Sequence, residues 1–233
     1  VHAFNLISPT FFANSSTGNK YSLWVNVYGV SERYLNVYGE KDLRAQMNQF
    51  FHRTYTHPVD GTTLDMKMLC NWYWYDETAI LETGKGTKDW NFYRYAETLL
   101  SAAEAIAQSS GVNAEAAGYL AQVKARANME GKDVSTIASE LQRLGKQAFI
   151  EECWKERLRE FPLEMKIWDD CVRTGKFPQI SATNKGEVQF VDLIGAKNGS
   201  GATFKATDLY WPIPVNEIQR NPNLTQNEGY SAK

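Results

Sequence analysis

The chain is poor in the residues that hold metals or staple small folds. It has three cysteines, Cys70, Cys153 and Cys171. The number is odd and no two share a metal-ligand spacing, which argues against a disulfide framework or a zinc site. Cys153 and Cys171 fall in helical apolar patterns, where a thiol serves as a small buried hydrophobe. Histidine is as sparse, at His2, His52 and His57, and the last two would fall on different faces of a helix with no acidic partner at ligand spacing. No apolar run approaches the roughly 20 residues that a membrane-spanning helix needs, and no signal-peptide pattern is present. Charge of one sign is lacking too. The formal net charge is −2 and there is no basic run, so nothing draws the chain to nucleic acid or an anionic membrane. Neither GxxxxGK[ST] nor GxSxG occurs, and Gly84-x-Gly86 does not open a helix as a phosphate loop must. No cofactor, metal or nucleophile is expected.

What is abundant is aromatic: seven Trp and twelve Tyr. Residues 1–28 are rich in Asn, Ser, Thr and rings, with a plain loop at Ser15–Asn19. Ser31 to Tyr38 has helical spacing and Ser31 as a cap. Leu43, Met47, Phe50 and Phe51 also fit a helix. His57-Pro58-Val59-Asp60-Gly61 is a turn. In Met66 to Asp76, an extended chain would put Trp72 and Trp74 on one face and Tyr73 and Tyr75 on the other. A flexible link, Thr83–Lys88, leads to a helix from about Phe92 to Gln108, capped by Asp89 or Asn91, with Tyr95, Leu99, Ala102, Ala103 and Ile106 as its buried stripe. Asn113 caps the next helix, to about Met129, and Ser135 starts a long one. No repeat of about 34 residues is visible. Glu187 to Ile194 alternates like a strand, and Lys197–Gly201 is a turn before a second extended run, Ala202 to Thr207. Beyond it, Pro212 and Pro214 enforce extended backbone in a tail that reads as a clamp packed on the helices.

The long helix continues into Phe149–Lys176, where Phe149, Cys153, Trp154, Leu158 and Phe161 mark a core face. Glu152, Glu156, Glu160 and Glu164 recur every four residues among Lys155, Arg157, Arg159 and Lys166, the pattern of an ion-pair ladder. Pro162 breaks the helix, and a short one from Leu163 to Thr174 ends at Gly175. A glycoside hydrolase would need two carboxyls roughly 5 to 10 Å apart, but with 27 acidic residues such pairs arise by chance.

Glu156-Arg157, Glu160, Glu164, Trp168, Asp170 and Arg173 resemble the "ER..EL..EG.RW.DL.R" segment of the SusD/RagB family of outer-membrane nutrient-binding lipoproteins of Bacteroidetes. Met165 stands for the family's Gly and Ile167 for its Arg, so Lys166 is the expected counter-charge. Leu209–Pro214, Glu217-Ile218, Asn221–Leu224 and Gln226–Tyr230 resemble the C-terminal "lyPIP..E...Np.L.QN.GY". Arg94–Ala105 resembles "iRyAEvlLmyAEA", Tyr119–Ala127 resembles "lN.vR.RA", and Glu40–Arg44 resembles an element with Asp42 and Arg44 as acid and base. After Arg44 the family continues in extended chain, against the helical spacing.

The resemblance implies a mainly α fold: an irregular SusD-like helical domain, with a helical hairpin plus a third helix, long loops and a small β-hairpin. It implies that residues 1–233 are a C-terminal domain, the N-terminal helical-repeat half and lipid anchor being absent. It implies a non-enzymatic protein at the outer-membrane surface that binds oligosaccharide as the lid of a SusC-like TonB-dependent transporter. A sugar site needs flat rings flanked by polar groups. Trp72, Trp74 and Tyr75 with Asn71 and Asp76 fit, as do Trp24 and Tyr28 with Asn26. Two rivals stay open: a helical scaffold that binds peptide or protein, and rings that are simply core.

Overall fold

The computed structural model describes residues 30–58, 61–73, 75–78, 89, 91–162 and 164–231, without the side chains of Leu64, Lys67 and Met68. Its helices are α1 (Tyr95–Ser110), α2 (Ala114–Ala125), α3 (Val134–Leu141), α4 (Lys146–Glu160), α5 (Ile167–Thr174) and α6 (Val215–Arg220). Its strands are β1 (Phe51–Thr56), β2 (Thr63–Asn71), β3 (Lys176–Ile180) and β4 (Val188–Asp192), with short 3-10 turns at Glu32–Val37, Leu43–Ala45 and Ala206–Leu209. The fold is mainly α, as the sequence implies. The chain groups into two units, one running through Glu164 and including Ile180–Val188, the other Met165–Gln179 with Gln189 onward.

In the first unit, α1 and α2 are joined by three residues, Gly111–Asn113, and must reverse direction to pack on one another. The core they share is mostly alanine: Ala96, Ala103 and Ala107 of α1 and Ala116, Ala117 and Ala121 of α2 belong to one buried cluster with Leu99, Leu100 and Leu120. Phe149, Ile150 and Cys153 of α4 and Ile137 and Leu141 of α3 complete this core. A fully buried Leu or Phe in such a layer contributes roughly 1.5–3 kcal/mol.

Local chemistry sets the boundaries. Asn113 accepts from the Ala116 N–H at 2.9 Å and starts α2 as expected. Asp133, not Ser135, starts α3, accepting from the Thr136 N–H at 2.8 Å. The expected long helix is two. Leu144 turns into the core and Gly145 takes extended backbone at the start of α4, a break consistent with the poor helix propensity of glycine. Helix α1 begins at Tyr95, later than expected, and neither Asp89 nor Asn91 caps it; Arg94 holds the cap position without a side-chain bond. Tyr95 is therefore 73% exposed, and the buried stripe is Ala96, Leu99, Leu100, Ala103 and Ala107.

The helix expected over Leu43–Phe51 does not form. A single 3-10 turn follows Asp42, whose carboxylate accepts from the Arg44 N–H, and Asn48 adopts φ +64°, outside the right-handed helical region. Pairing with β2 decides the rest. β1 and β2 run antiparallel from Phe51↔Asn71 to Thr56↔Thr63, with an irregularity between His52 and Thr54, and Phe51 and Tyr55 are buried. Ser31–Tyr38 is likewise a 3-10 turn, and Ser31 makes no side-chain cap. It is fastened by Tyr34 and Tyr38, whose hydroxyls donate to the Leu158 and Arg159 carbonyls at 2.7 and 3.0 Å.

In the second unit, α5 ends at Gly175, whose φ of +65° favours a residue without Cβ. The small hairpin exists, but Val188–Asp192 pairs with Lys176–Ile180 and not with Ala202–Thr207. The latter stretch folds back on residues 195–198 through an isolated bridge, Lys197↔Thr203, and backbone bonds of Phe204 with Gly195 and Ala196 at 2.9 Å, before turning. The tail clamps itself. Gln226 accepts from the Ile213 N–H at 2.8 Å and donates to the Ile213 carbonyl at 2.9 Å. Asn227 Nδ2 donates to the Trp211 carbonyl at 2.7 Å. The Tyr230 hydroxyl lies 2.9 Å from the carbonyls of both Thr207 and Tyr210.

Candidate functional site

Two sets of side chains have the composition of a site. The first is the row of glutamates on α4. Glu156 is fully buried and accepts from Arg44 Nη1 at 2.8 Å and Arg159 Nη1 at 3.2 Å. Glu160 meets Arg44, Arg94 and Arg126 at 3.0, 3.0 and 2.8 Å. Glu152 pairs with Lys124 and, at 2.8 Å, with Arg159. Arg44, itself only 6% exposed, also grips Asp42 at 2.7 Å, so the acid and base of that motif pair with each other. Arg94 and Arg157 lie over the Phe161 ring at 4.8 and 5.4 Å.

The counter-charge of Glu164 is Arg94, through Nε at 2.9 Å and Nη2 at 2.7 Å. Lys166 was the residue expected in that place. The two partners lie 70 residues apart, and the available signal was Arg94 itself, the one cation at the entrance of an alanine-rich helix whose own charges, Glu97 and Glu104, are acidic.

Burial alone would push the Glu156 carboxyl up, but the charges of Arg44, Lys124 and Arg159 outweigh it and hold it at about 2. A general acid for glycoside cleavage needs the opposite shift. These carboxylates brace α4 against α1, α2 and the Asp42–Arg44 turn. Beside them lies a cavity of about 460 Å³ walled by Asp42, Arg44, Lys124, Asn128, Lys132 and Glu156 among others. It has no aromatic ring in its lining, so a ligand there could not stack and would meet charged and polar groups beside the aliphatic Ala127 and Ile137.

The second set is the aromatic cluster after β2. Asn71 is buried and works on the backbone: its Oδ1 accepts from the Tyr73 N–H at 2.8 Å and its Nδ2 donates to the Pro162 carbonyl at 3.4 Å. That bond bends the chain, and the Tyr75 N–H closes the turn on the Trp72 carbonyl at 3.0 Å. The alternation expected of an extended Trp72–Tyr75 is therefore absent. Trp72 and Tyr75 stack on each other instead, centroids 4.7 Å apart and planes 14° from parallel. His52 stacks on Trp72 at 3.9 Å and 13°, and with no contact to Tyr75 it takes the opposite face. Tyr55 leans on Trp72 and Tyr75 at 6.0 and 6.3 Å.

Burial pushes the His52 imidazole below its usual range, which favours the neutral ring. Burial likewise pushes the Tyr75 hydroxyl up, and that hydroxyl donates to Glu77 at 3.0 Å. Asn91 donates to the Tyr73 hydroxyl at 3.2 Å. The result is a three-ring stack, half exposed, with polar groups on its flank. Both faces of Trp72 are occupied by the protein's own rings, so that ring offers a flat ligand only its edges. Trp74, Trp24 and Tyr28 lie outside the described residues.

No group of three or more His, Cys, Asp or Glu able to hold a metal occurs among the described residues. None of the described helices is long and apolar enough to cross a membrane.

The chain is 36% identical over 138 residues to the starch-binding protein SusD of Bacteroides thetaiotaomicron, a match that covers 59% of this chain and 21% of that protein. A crystal structure of a SusD superfamily protein from Parabacteroides distasonis superposes with a TM-score of 0.76 at 29% identity, covering 97% of this chain and 46% of the other. The chain thus matches only part of the length of either relative. The family model described as "SusD family" matches residues 15–230, and the chain belongs to that family.

Proposed function

We propose that this chain is the C-terminal domain of a cell-surface, outer-membrane lipoprotein that binds oligosaccharide without cleaving it, as the lid of a SusC-like TonB-dependent transporter. The observation that carries the reading is the family match over nearly the whole chain, together with a curated relative named for binding starch. The three-ring stack supports it chemically. Its half-exposed rings are of the kind that pack on the C–H side of a sugar, and Tyr73, Glu77 and Asn91 are polar groups beside them of the kind that meet hydroxyls. Trp74, Trp24 and Tyr28, which lie outside the described residues, remain proposed members of the site.

A second reading, a helical scaffold that binds peptide or protein, is favoured by one observation: Trp72 is sandwiched between His52 and Tyr75, which suits a structural ring better than a sugar platform. Isothermal titration against maltooligosaccharides and a wider glycan panel separates the two, with Tyr75→Ala and Trp72→Ala as variants. Saturable binding lost in Tyr75→Ala, with no sugar released, supports the glycan reading and this site. Binding that survives both variants moves the site elsewhere, and silence across the panel favours the scaffold.

A further inference from the structure

The chain has a single Asn-Gly pair, Asn198-Gly199, at the exposed turn of the second unit. An asparagine carbonyl oxygen has two lone pairs with which to accept hydrogen bonds. Here Oδ1 of Asn198 accepts three, from Ser200 N at 3.0 Å, Ser200 Oγ at 2.8 Å and Ala202 N at 3.0 Å. The turn is fixed around it, with the Asn198 N–H donating to the Ala202 carbonyl at 2.9 Å and the Gly201 N–H to the Asn198 carbonyl at 3.0 Å. The one amide in this loop left over is Gly199: its N–H makes no hydrogen bond with any described residue, and the residue is solvent-exposed and carries no Cβ to shield its nitrogen.

We propose that this turn is a self-modification site, in which Asn198 converts spontaneously to aspartate and isoaspartate. The three donors converge where negative charge develops when the side-chain carbonyl is attacked, the arrangement of an oxyanion hole. The nucleophile is the free Gly199 nitrogen. As it gives its proton to water, it attacks Cγ of Asn198 and a new N–C bond closes a five-membered succinimide. The bond from Cγ to the side-chain nitrogen breaks, and that nitrogen takes up a proton and leaves as ammonia. Water then opens the ring at one carbonyl or the other, giving aspartate or isoaspartate, with no oxidant or reductant involved. The isoaspartate product inserts a methylene into the backbone at the residue that anchors both hydrogen bonds of the turn. It also places a new carboxylate beside Lys197. The loop thereby records the age of the protein as a change in charge and shape.

The test is to incubate the whole chain at mildly alkaline pH and body temperature. Peptide mass spectrometry then follows the single-unit mass gain of Asn to Asp, and isoaspartyl methyltransferase labelling identifies the isoaspartate. The expected result is that Asn198 converts ahead of Asn184, which sits in the exposed loop between β3 and β4 and serves as the internal control. Gly199→Ala should all but abolish conversion by shielding the nitrogen. An added Cβ there meets nothing within 4 Å, so this variant keeps the fold. Ser200→Ala, which withdraws one hydrogen bond from the developing charge, should slow conversion about tenfold. Equal lifetimes of Asn198 and Asn184, or a Gly199→Ala chain that converts as fast as the parent, would overturn the proposal.

Discussion

Helix α4 and the tail from Tyr210 to Tyr230 both carry patterns shared with the SusD family, and they are held by opposite means. Along α4 the polar groups are charges taken out of water: Glu156, Arg157, Arg159 and Glu160 are all under 10% exposed. Along the tail nothing is buried, Trp211 is 89% exposed, and the work is done by neutral amides of Gln226 and Asn227 that hydrogen-bond to backbone. A buried charge whose partner is removed is left in a low-dielectric site with nothing to offset its desolvation, whereas an exposed amide that loses its partner finds water. The same kind of substitution should therefore cost several times more on α4 than in the tail.

Glu156→Ala tests the expensive side. It takes away the carboxylate that Arg44, Arg159 and Lys124 share, leaving Arg44 with Asp42 and Glu160 and the other two with Glu152 alone, and a loss of about 3 kcal/mol is expected, read as a shift in the urea midpoint. A cost near 1 kcal/mol would erase the contrast. The same carboxylate sets an acid limit. Its pKa is depressed from 4.5 to about 2 in the folded chain, so between those values the unfolded chain binds the extra proton. The stabilisation is complete above about pH 4.5 and is lost as pH falls toward 2, worth on the order of 3 kcal/mol for this group. Urea midpoints taken down through that window should fall in the parent and fall less steeply in Glu156→Ala.

In the tail the largest expected effect is steric. Gly229 has φ +86°, and a Cβ there would lie 2.1 Å from Thr207 Cγ2. Gly229→Ala should cost roughly 2 kcal/mol, combining the clash with the left-handed backbone, and should raise amide exchange around Tyr210. Adding Thr207→Ser removes the clashing methyl and should restore only part of the loss, since the backbone strain of about 1 kcal/mol stays. Full restoration would mean that space alone decides this position.

The elements that sequence revealed are those whose cause is local. Asn113 can cap only the helix that follows it, Pro162 stops α4 wherever α4 packs, and Gly175 permits the turn after α5. What sequence obscured was decided by distant partners. Leu43, Met47, Phe50 and Phe51 have helical spacing, but Arg44 is drawn to Glu156 and Glu160, more than a hundred residues away, and Phe51 finds Asn71 across the β1–β2 pair. The role of Arg94 is not legible locally because its partners Glu160 and Glu164 lie at the far end of another helix, 66 and 70 residues on. At the candidate site the ring types were legible and their arrangement was not. One amide, that of Asn71, bends the chain so that Trp72 faces Tyr75, and composition cannot encode that bend.

The smallest effect is also the most diagnostic of how the tail is held. Gln226 meets Ile213 twice, as acceptor to its N–H and donor to its carbonyl, so Gln226→Ala should cost about 1 kcal/mol and expose the Ile213 amide to exchange. Gln226→Glu separates pairing from packing, because it keeps the shape and the acceptor but turns the donor into a carboxylate oxygen aimed at the Ile213 carbonyl. At neutral pH it should be at least as damaging as alanine. On acidification through the ordinary carboxylate range the protonated acid regains a donor, and the protection of Ile213 should return toward that of the parent. A glutamate variant as protected as glutamine at neutral pH would show that the tail is held by packing, and the contrast with α4 would then be one of exposure and not of chemistry.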